Sequence, residues 1–160
     1  SSIGLNILKN KMKYPSKFKK YFVETYFKPK LAYGFHSELF KFATSSMDIS
    51  DGLLIDLKKL IGDKKLNFVI NYNLLPKSNY FKILSKQKRL SLKNHLFAGD
   101  DYQILFTANN RMRNVIAKSS LKWNQKVTRI GSIVNTGRNS LIFDDKLKKV
   151  INYQGYIHNF

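Results

Sequence analysis

Three of the ten carboxylates in this chain, Asp48, Asp51 and Asp56, fall within nine residues, although the formal net charge is +19. Carboxylate oxygens are good ligands for Mg²⁺, which in turn binds the phosphates of nucleotides. Ser50 stands at a position typical of a helix N-cap, and Asp51 would then lie in the first turn, beside the positive end of the helix dipole. The stretch therefore has two interpretations: a capped helix, or a corner that binds Mg²⁺ and nucleotide phosphate.

Two details favour the magnesium corner. Asp48 precedes the expected cap and follows an apolar residue at the end of a predicted extended segment, where it does not stabilise the helix as Asp51 does. Gly52 in a first helical turn costs about 1 kcal/mol relative to alanine, but its missing side chain lets a bulky anion approach the backbone. We expect the free amides of the first turn and the Ser50 hydroxyl to contact phosphate oxygens.

A second acidic cluster follows in "GDDY", residues 99–102, immediately before a predicted strand. The adjacent carboxylates of Asp100 and Asp101 repel each other unless cations or hydrogen-bond donors neutralise them. The cluster is either a surface turn or a second acidic corner of the same kind. Half of the carboxylates in a very basic chain lie in these two clusters, which favours a binding role.

Composition excludes several classes of protein. The chain has no cysteine, which excludes a disulfide framework, thiolate catalysis and a zinc ribbon. His36, His95 and His158 lack the i, i+4 spacing of a helical metal site, which argues against a zinc enzyme. No window has the roughly 18 apolar residues of a membrane span, and no signal peptide is recognisable, so we expect a cytoplasmic protein without a membrane partner. The start at Ser1, inside an apparent amphipathic helix, suggests a piece of a longer chain.

The densest basic run, from Lys9 to Lys30, alternates lysines with aromatic residues. Such a run could bind single-stranded nucleic acid by stacking and charge. The aromatic residues also recur near i, i+4, as on the buried side of a helix. We favour core packing, with the remaining lysines forming a solvated surface.

The hydrophobic pattern predicts an α+β fold, a layered α/β/α domain with a mixed sheet, because several successive strands lack a helix between them. Helices are predicted over 2–10, 17–27, 31–43, 53–61 and 109–119, the last with Met112, Val115 and Ile116 inward. Strands are predicted over 66–73, with one polar face, over 102–107, largely buried, and over 126–134 and 139–143.

The sequence resembles the C-terminal half of the thiamine-monophosphate kinase family, within the aminoimidazole-ribotide synthetase-like superfamily. The resemblance is carried by "MDISDGLLIDLKKL" and "FAGDDYQILFT", and further by "GLNIL", "KPKLAYG", "IGSIV" and the closing "GYIHNF". It spans essentially the whole chain. It implies that residues 1–160 form a single C-terminal domain, and that the N-terminal domain for ATP binding and dimerisation is absent from this chain.

The resemblance implies an ATP-dependent kinase that uses several Mg²⁺ ions to convert thiamine monophosphate to thiamine diphosphate, as a homodimer. By position in the family's motifs, Asp48 and Asp51 would be metal ligands and Ser50 a contact to ATP, while Asp100 and Tyr156 would contact the thiamine substrate. No catalytic base is needed, because the second pKa of a phosphate monoester is about 6 and the attacking group is already an anion. The transfer requires positioning and charge neutralisation.

The chain departs from the family pattern in its substrate contacts. Asp100 is one methylene shorter than the family's glutamate, Gln103 replaces a second glutamate, and Asn159 is an extra residue in the ending. Lys30 stands where the family has an arginine, and a lysine cannot donate the two parallel hydrogen bonds that a guanidinium group donates to a carboxylate or phosphate. We expect the isolated domain to bind nucleotide weakly and not to turn over.

Three alternatives remain open at this point. One is a sister enzyme of the superfamily, such as an aminoimidazole-ribotide or selenophosphate synthetase, although "GDDY" and the terminal "GY" argue against it. Another is a nucleic-acid-binding module that uses the Lys9 to Lys30 face, with an affinity that falls steeply with salt. The third is a purely structural domain.

Overall fold

A computed structural model describes residues 2–11, 13–62, 66–87, 89–90, 99 and 102–135, and the backbone of two further strands between 141 and 150. The α-helices are α1 (Ser2–Leu8), α2 (Ser16–Phe27), α3 (Leu53–Ile61), α4 (Asn79–Lys86) and α5 (Arg113–Lys122). The strands are β1 (Ala43–Asp48), β2 (Asn67–Asn71), β3 (Ile104–Ala108), β4 (Gly131–Val134), β5 (Leu141–Asp144) and β6 (Leu147–Val150). Short 3₁₀ helices cover Phe35–Lys41, Tyr72–Leu74 and Asn110–Met112.

The strands form two sheets. β1 and β3 form an antiparallel pair, and the other sheet has the order β4-β2-β5-β6. In that second sheet β2 and β5 run parallel, while the other neighbours are antiparallel. The predicted α+β class with a mixed sheet is therefore confirmed, and the α/β/α layering stays a prediction.

One hydrophobic core joins α3 to both sheets. Its buried members are Leu54, Leu57, Phe68, Ile70, Leu75 and Leu105. The apolar face of α3 packs here as its leucine spacing predicts, since residues three and four apart share one face of a helix. This packing fixes the start of α3 beside the ends of β1 and β3.

A second core joins α1, α2 and α4, and it contains aromatic side chains from the basic run. Phe22 is buried there, and Phe18 and Tyr21 pack against it. Both Phe18 and Tyr21 also contact the ring of Tyr80, with centroids 5.4 and 4.5 Å apart. The core interpretation is confirmed for these rings, which removes them from any nucleic-acid stacking surface, whereas Phe27 at the end of α2 is 65% exposed.

The helix predicted over 31–43 is wrong in type and extent. Only Phe35–Lys41 is helical, as a 3₁₀ helix that follows Gly34 at a φ of 77°, and Ala43 already begins β1. A positive φ at a glycine interrupts an α-helix. Beyond it the pairing of β1 with β3 fixes an extended backbone, which the local apolar spacing does not reveal.

Two further predictions about faces need correction. In β2 the buried Phe68 and Ile70 alternate with the half-buried Val69 and Asn71, but Asn67 on the polar face is buried as well, because the strand lies inside the mixed sheet. In the predicted helix over 109–119 Val115 is exposed, and the residue that α5 buries is Ser119.

None of the described helices is long and apolar enough to cross a membrane.

Candidate functional site

The candidate site begins where β1 ends, at Asp48. In the β1–β3 pair Asp48 lies opposite Ile104. The pairing continues past the strand, because the Ile49 amide donates to the Gln103 carbonyl at 2.9 Å and the Tyr102 amide donates to the Ile49 carbonyl at 3.0 Å. Asp48 is the last residue of β1, which confirms its predicted position at the end of an extended segment, and its side chain is exposed.

The second acidic motif meets the first through its glycine. A Cβ added to Gly99 would lie 1.8 Å from the Ser50 carbonyl oxygen and 3.1 Å from the Asp51 Cα. Only a residue without a side chain fits such a backbone contact. The structure therefore brings Gly99, Tyr102 and Gln103 against residues 49–51, while Asp100 and Asp101 lie outside the described residues.

A third segment joins the same corner. The Gln103 side-chain amide donates a hydrogen bond to the Lys30 carbonyl oxygen at 3.3 Å. Lys30 belongs to "KPKLAYG", another of the motifs singled out in the sequence. Three stretches that are distant in the chain thus meet at the ends of β1 and β3.

The loop of Ser50, Asp51 and Gly52, here called the 50–52 loop, is closed by one carboxylate. Oδ2 of Asp56 accepts hydrogen bonds from all three backbone amides of the loop, at 2.9, 2.9 and 3.1 Å. Asp56 lies in α3 and is completely buried. A buried carboxylate is tolerated only when donors or cations compensate its charge, and the loop amides are such donors.

Ser50 is not the helix cap that the sequence pattern predicted. α3 begins at Leu53, the capping position falls on Gly52, and no side chain of that residue closes the turn. Gly52 has a φ of 116°, which only glycine adopts readily. Its place in the sequence is explained by this conformation, and Asp51 lies before the helix instead of in its first turn.

This geometry also corrects the expected mode of phosphate binding. The amides that were expected to contact phosphate are already bonded to Asp56. The groups that the corner offers to a ligand are side chains: the Asp48 and Asp51 carboxylates and the Ser50 hydroxyl. Any phosphate at this corner would therefore be bound through a cation or the hydroxyl.

A lysine already stands at the acidic corner. The Lys59 ammonium donates to Asp51 Oδ2 and lies 3.5 Å from Asp56 Oδ1. The hydrogen bond to Asp51 raises the pKa of Lys59 above its usual value. Within the described residues Asp56 Oδ1 has no hydrogen-bond partner of its own, so its charge is balanced by the nearby ammonium.

The side chains at the corner suit a shared Mg²⁺ site better than a complete one. The position of Lys59 shows that a cation is stable beside Asp51 and Asp56. Among the described residues no group of three or more histidine, cysteine or acidic side chains could hold a metal ion. Protein-bound Mg²⁺ commonly has one or two carboxylate ligands and completes its shell with phosphate and water, so two carboxylates are enough for a shared site. The assignment of Asp48 and Asp51 as these ligands stays a prediction.

The sequence-predicted site residues thus divide into two groups. Asp48, Ser50 and Asp51 lie in the segment that connects the end of β1 to α3, whereas Asp100 and Tyr156 lie outside the described residues. Sequence reasoning counted Asp56 in the acidic cluster but missed its role and that of Lys59. The sequence does indicate the role of Asp56. This residue is three residues after Leu53 and next to Leu57, and therefore lies on the apolar face of the predicted helix. An acidic side chain that is buried on such a face needs hydrogen-bond donors.

A separate buried carboxylate, Glu38, has a structural setting. It accepts hydrogen bonds from Lys41, Lys122, Trp123 Nε1 and Ser119, at 2.7, 2.9, 3.1 and 3.1 Å. The bond from Lys41, followed by those from Lys122 and Trp123, holds the pKa of Glu38 well below its usual range. These contacts fix α5 against the 3₁₀ helix at Phe35–Lys41.

Comparison with known proteins gives matches to one kind of enzyme. No protein-family model matches the chain. A thiamine-monophosphate kinase of Nitrosopumilus maritimus is 30% identical over 158 residues, which cover 97% of this chain and 48% of the relative. One from Leptospira interrogans is 27% identical over 161 residues, covering 99% and 48%. The chain therefore spans about half the length of the curated relatives it matches.

Solved structures agree with the sequence matches. AaThiL complexed with AMPPCP and TMP superposes with a TM-score of 0.74 at 27% identity, over 98% of this chain and 47% of that one. The thiamine-monophosphate kinase of Stenotrophomonas maltophilia superposes with a TM-score of 0.72 over 91% of this chain and 46% of that one, and at 21% identity it shows the fold alone. The resemblance seen in the motifs is confirmed: the chain is similar to thiamine-monophosphate kinases over about half of their full length.

Proposed function

We propose that the chain is the C-terminal half of a thiamine-monophosphate kinase, which transfers the γ-phosphate of ATP to thiamine monophosphate and forms thiamine diphosphate. The main support is that Gly99, Tyr102 and Gln103 lie against residues 49–51, which joins the two sequence motifs at one corner. The same chain matches such kinases over nearly its whole length. In a relative's structure the bound molecules are AMPPCP and TMP, which suits ATP and thiamine monophosphate as substrates.

The described residues can contribute charge and position to this transfer. Asp48 and Asp51 would hold Mg²⁺, and the Ser50 hydroxyl would contact ATP. Bound Mg²⁺ would neutralise charge on the phosphates during in-line transfer. Asp56 keeps the 50–52 loop closed, so that the Ser50 and Asp51 side chains are positioned before substrates arrive. Asp100 and Tyr156 are proposed to bind the thiamine substrate.

The remaining parts of the enzyme belong to the same proposal. The half of the relatives that this chain does not match would supply most of the nucleotide site and the homodimer interface. The chain alone would then bind nucleotide weakly and would not turn over. A cytoplasmic location, expected from the sequence, is also part of the proposal.

A chimeric enzyme tests the proposal directly. The matched 158 residues of the N. maritimus relative would be replaced by this chain, and ADP release would be measured with thiamine monophosphate and Mg²⁺. We expect turnover in the chimera and a loss of about a hundredfold in kcat/KM, about 2.7 kcal/mol, for Asp48→Asn and for Asp51→Asn. Glu24→Gln on α2 removes the same charge at an exposed helix position and should leave turnover unchanged.

The possible failures of this experiment have different meanings. Equal turnover in the chimera and both aspartate variants would show that these carboxylates do not hold the metal. Turnover with a different phosphorylated acceptor, but not with thiamine monophosphate, would keep the reaction class and reject the substrate. A folded chimera that releases no ADP with any acceptor would reject the kinase function of this chain.

A further inference from the structure

We propose that Lys59 is the resident cation of the acidic corner, and that a divalent metal binds Asp51 by displacing the Lys59 ammonium toward Asp56 Oδ1. This inference rests on the proposed function, since it concerns the same metal corner. It makes Lys59 a determinant of metal affinity, a role that goes beyond the metal ligands themselves.

The first support is the position of the ammonium group. Lys59 donates to Asp51 Oδ2, one of the oxygens expected to bind metal. A carboxylate oxygen that hydrogen-bonds an ammonium and a carboxylate oxygen that ligates Mg²⁺ use the same lone pairs. The two cations also repel each other at such short range. Binding of a metal at this oxygen therefore requires Lys59 to move.

The second support is a nearby place for the displaced ammonium. Asp56 Oδ2 is saturated by the three amides of the 50–52 loop. Asp56 Oδ1 is buried, lacks a hydrogen-bond partner among the described residues, and lies 3.5 Å from the Lys59 nitrogen. A shift of the ammonium by a fraction of an ångström to about 1 Å converts this contact into a normal hydrogen bond.

The third support is the freedom of the lysine side chain. Lys59 lies on α3 and is about half exposed, while Asp51 is less exposed than the lysine. A lysine side chain rotates about four carbon–carbon bonds and its ammonium donates in three directions. It can therefore leave Asp51 and stay at Asp56 without any change in the backbone of the helix.

The exchange has a consequence for charge at the corner. Without metal, Lys59 compensates Asp51 and Asp56 together. With metal on Asp51, the ammonium compensates Asp56 alone, and the buried carboxylate keeps a cation in both states. Removal of the lysine charge should then favour metal at Asp51, because the competitor is gone.

Metal binding by variants of the 160-residue chain tests this exchange. Mn²⁺ is titrated into the wild-type chain, Lys59→Met and Lys58→Met, and free Mn²⁺ is measured by electron paramagnetic resonance. Lys58 is the neighbouring lysine on α3 and controls for loss of a positive charge near the corner. We expect Lys59→Met to bind Mn²⁺ about fivefold more tightly than wild type. This factor corresponds to about 1 kcal/mol, the upper end of the range for an exposed ion pair. Lys58→Met should differ from wild type by less than twofold.

A second measurement uses the wild-type chain and does not depend on how the variant folds. Mg²⁺ is titrated while the ammonium signals of lysines are followed by ¹H–¹⁵N NMR. We expect the Lys59 signal to shift with Mg²⁺ saturation and the Lys20 signal, from an exposed pair with Glu24, to stay in place. In Asp51→Asn neither metal binding nor the Lys59 shift should occur.

The outcomes separate this inference from the proposed function. Metal binding that is lost in Asp51→Asn but unchanged or weaker in Lys59→Met would overturn the exchange and leave the metal corner intact. A Lys59 signal that ignores bound Mg²⁺ would overturn it equally. No Mn²⁺ binding in any variant at millimolar metal would overturn both the exchange and the assignment of metal to Asp51.

Discussion

The carboxylate of Asp56 is expected to stabilise the fold more than any other charged group at the corner. Its Oδ2 atom accepts three backbone hydrogen bonds, and its Oδ1 atom faces the Lys59 ammonium at 3.5 Å. Asp56→Ala removes both sets of contacts and leaves three loop amides to find other acceptors. Asp56→Asn keeps one carbonyl oxygen for the loop but places an NH₂ group toward Lys59.

The magnitude follows from the number and type of these contacts. Hydrogen bonds to charged groups contribute about 1.5 to 3 kcal/mol each, so three of them set an upper limit of about 4.5 to 9 kcal/mol. Ser50 and Asp51 are only half-buried, and water can satisfy part of what the loop loses. We therefore expect Asp56→Ala to lower the free energy of unfolding by about 3 to 5 kcal/mol, the range for breaking a buried charged network, and Asp56→Asn by about 1 to 2 kcal/mol.

Urea denaturation followed by the fluorescence of Trp123, the single tryptophan, measures this difference. Asp48→Asn serves as the control, because it removes a carboxylate of the same corner from an exposed strand end and should change the unfolding free energy by less than about 0.5 kcal/mol. An Asp56→Ala protein within about 0.5 kcal/mol of wild type would refute the reasoning, since the three amide bonds would then contribute nothing that water does not replace.

Three other substitutions give separate expectations. Hydrogen bonds from Lys41, Lys122 and Trp123 lower the pKa of Glu38. The urea midpoint of wild type should therefore be higher than that of Glu38→Gln above about pH 5, and the difference should shrink as the pH falls below about 4. Gly99→Ala would place a Cβ 1.8 Å from the Ser50 carbonyl and should weaken Mg²⁺-dependent nucleotide binding by the chimera about tenfold in a calorimetric titration. Gly34→Ala, with φ at 77° and a Cβ 2.2 Å from the Trp123 ring, should lower the unfolding free energy by about 1 to 3 kcal/mol and shift the emission maximum.

Much of α3 and of the acidic corner could be predicted from the sequence. The leucine spacing predicts the buried face of α3, and an aspartate after an apolar residue predicts the position of Asp48 at a strand end. The N-cap prediction failed because it considered Ser50 alone. A charged oxygen of Asp56 is a stronger acceptor for the loop amides than a serine hydroxyl, and it comes from six residues further along the chain.

The elements that depend on distant pairing could not be predicted locally. Residues 31–43 have apolar residues at helical spacing, yet the last of them begins β1 because β3 supplies its partner. The contact between Gly99 and Ser50 is equally invisible in sequence spacing. Glycine before two aspartates indicates a turn, but it does not say which backbone lies against it.

The antiparallel pair of β1 and β3 joins segments that are made at different times during translation. The hydroxyl oxygens of Thr44 and Thr107, which lie 2.7 Å apart, are 63 positions apart in the chain. Contacts of such separation form late, after the intervening segments have been ordered. A ribosome-bound chain that ends before Gln103 therefore has the aspartates of the corner but not the strand that holds them, and it should acquire affinity for divalent ions only when β3 has emerged from the exit tunnel.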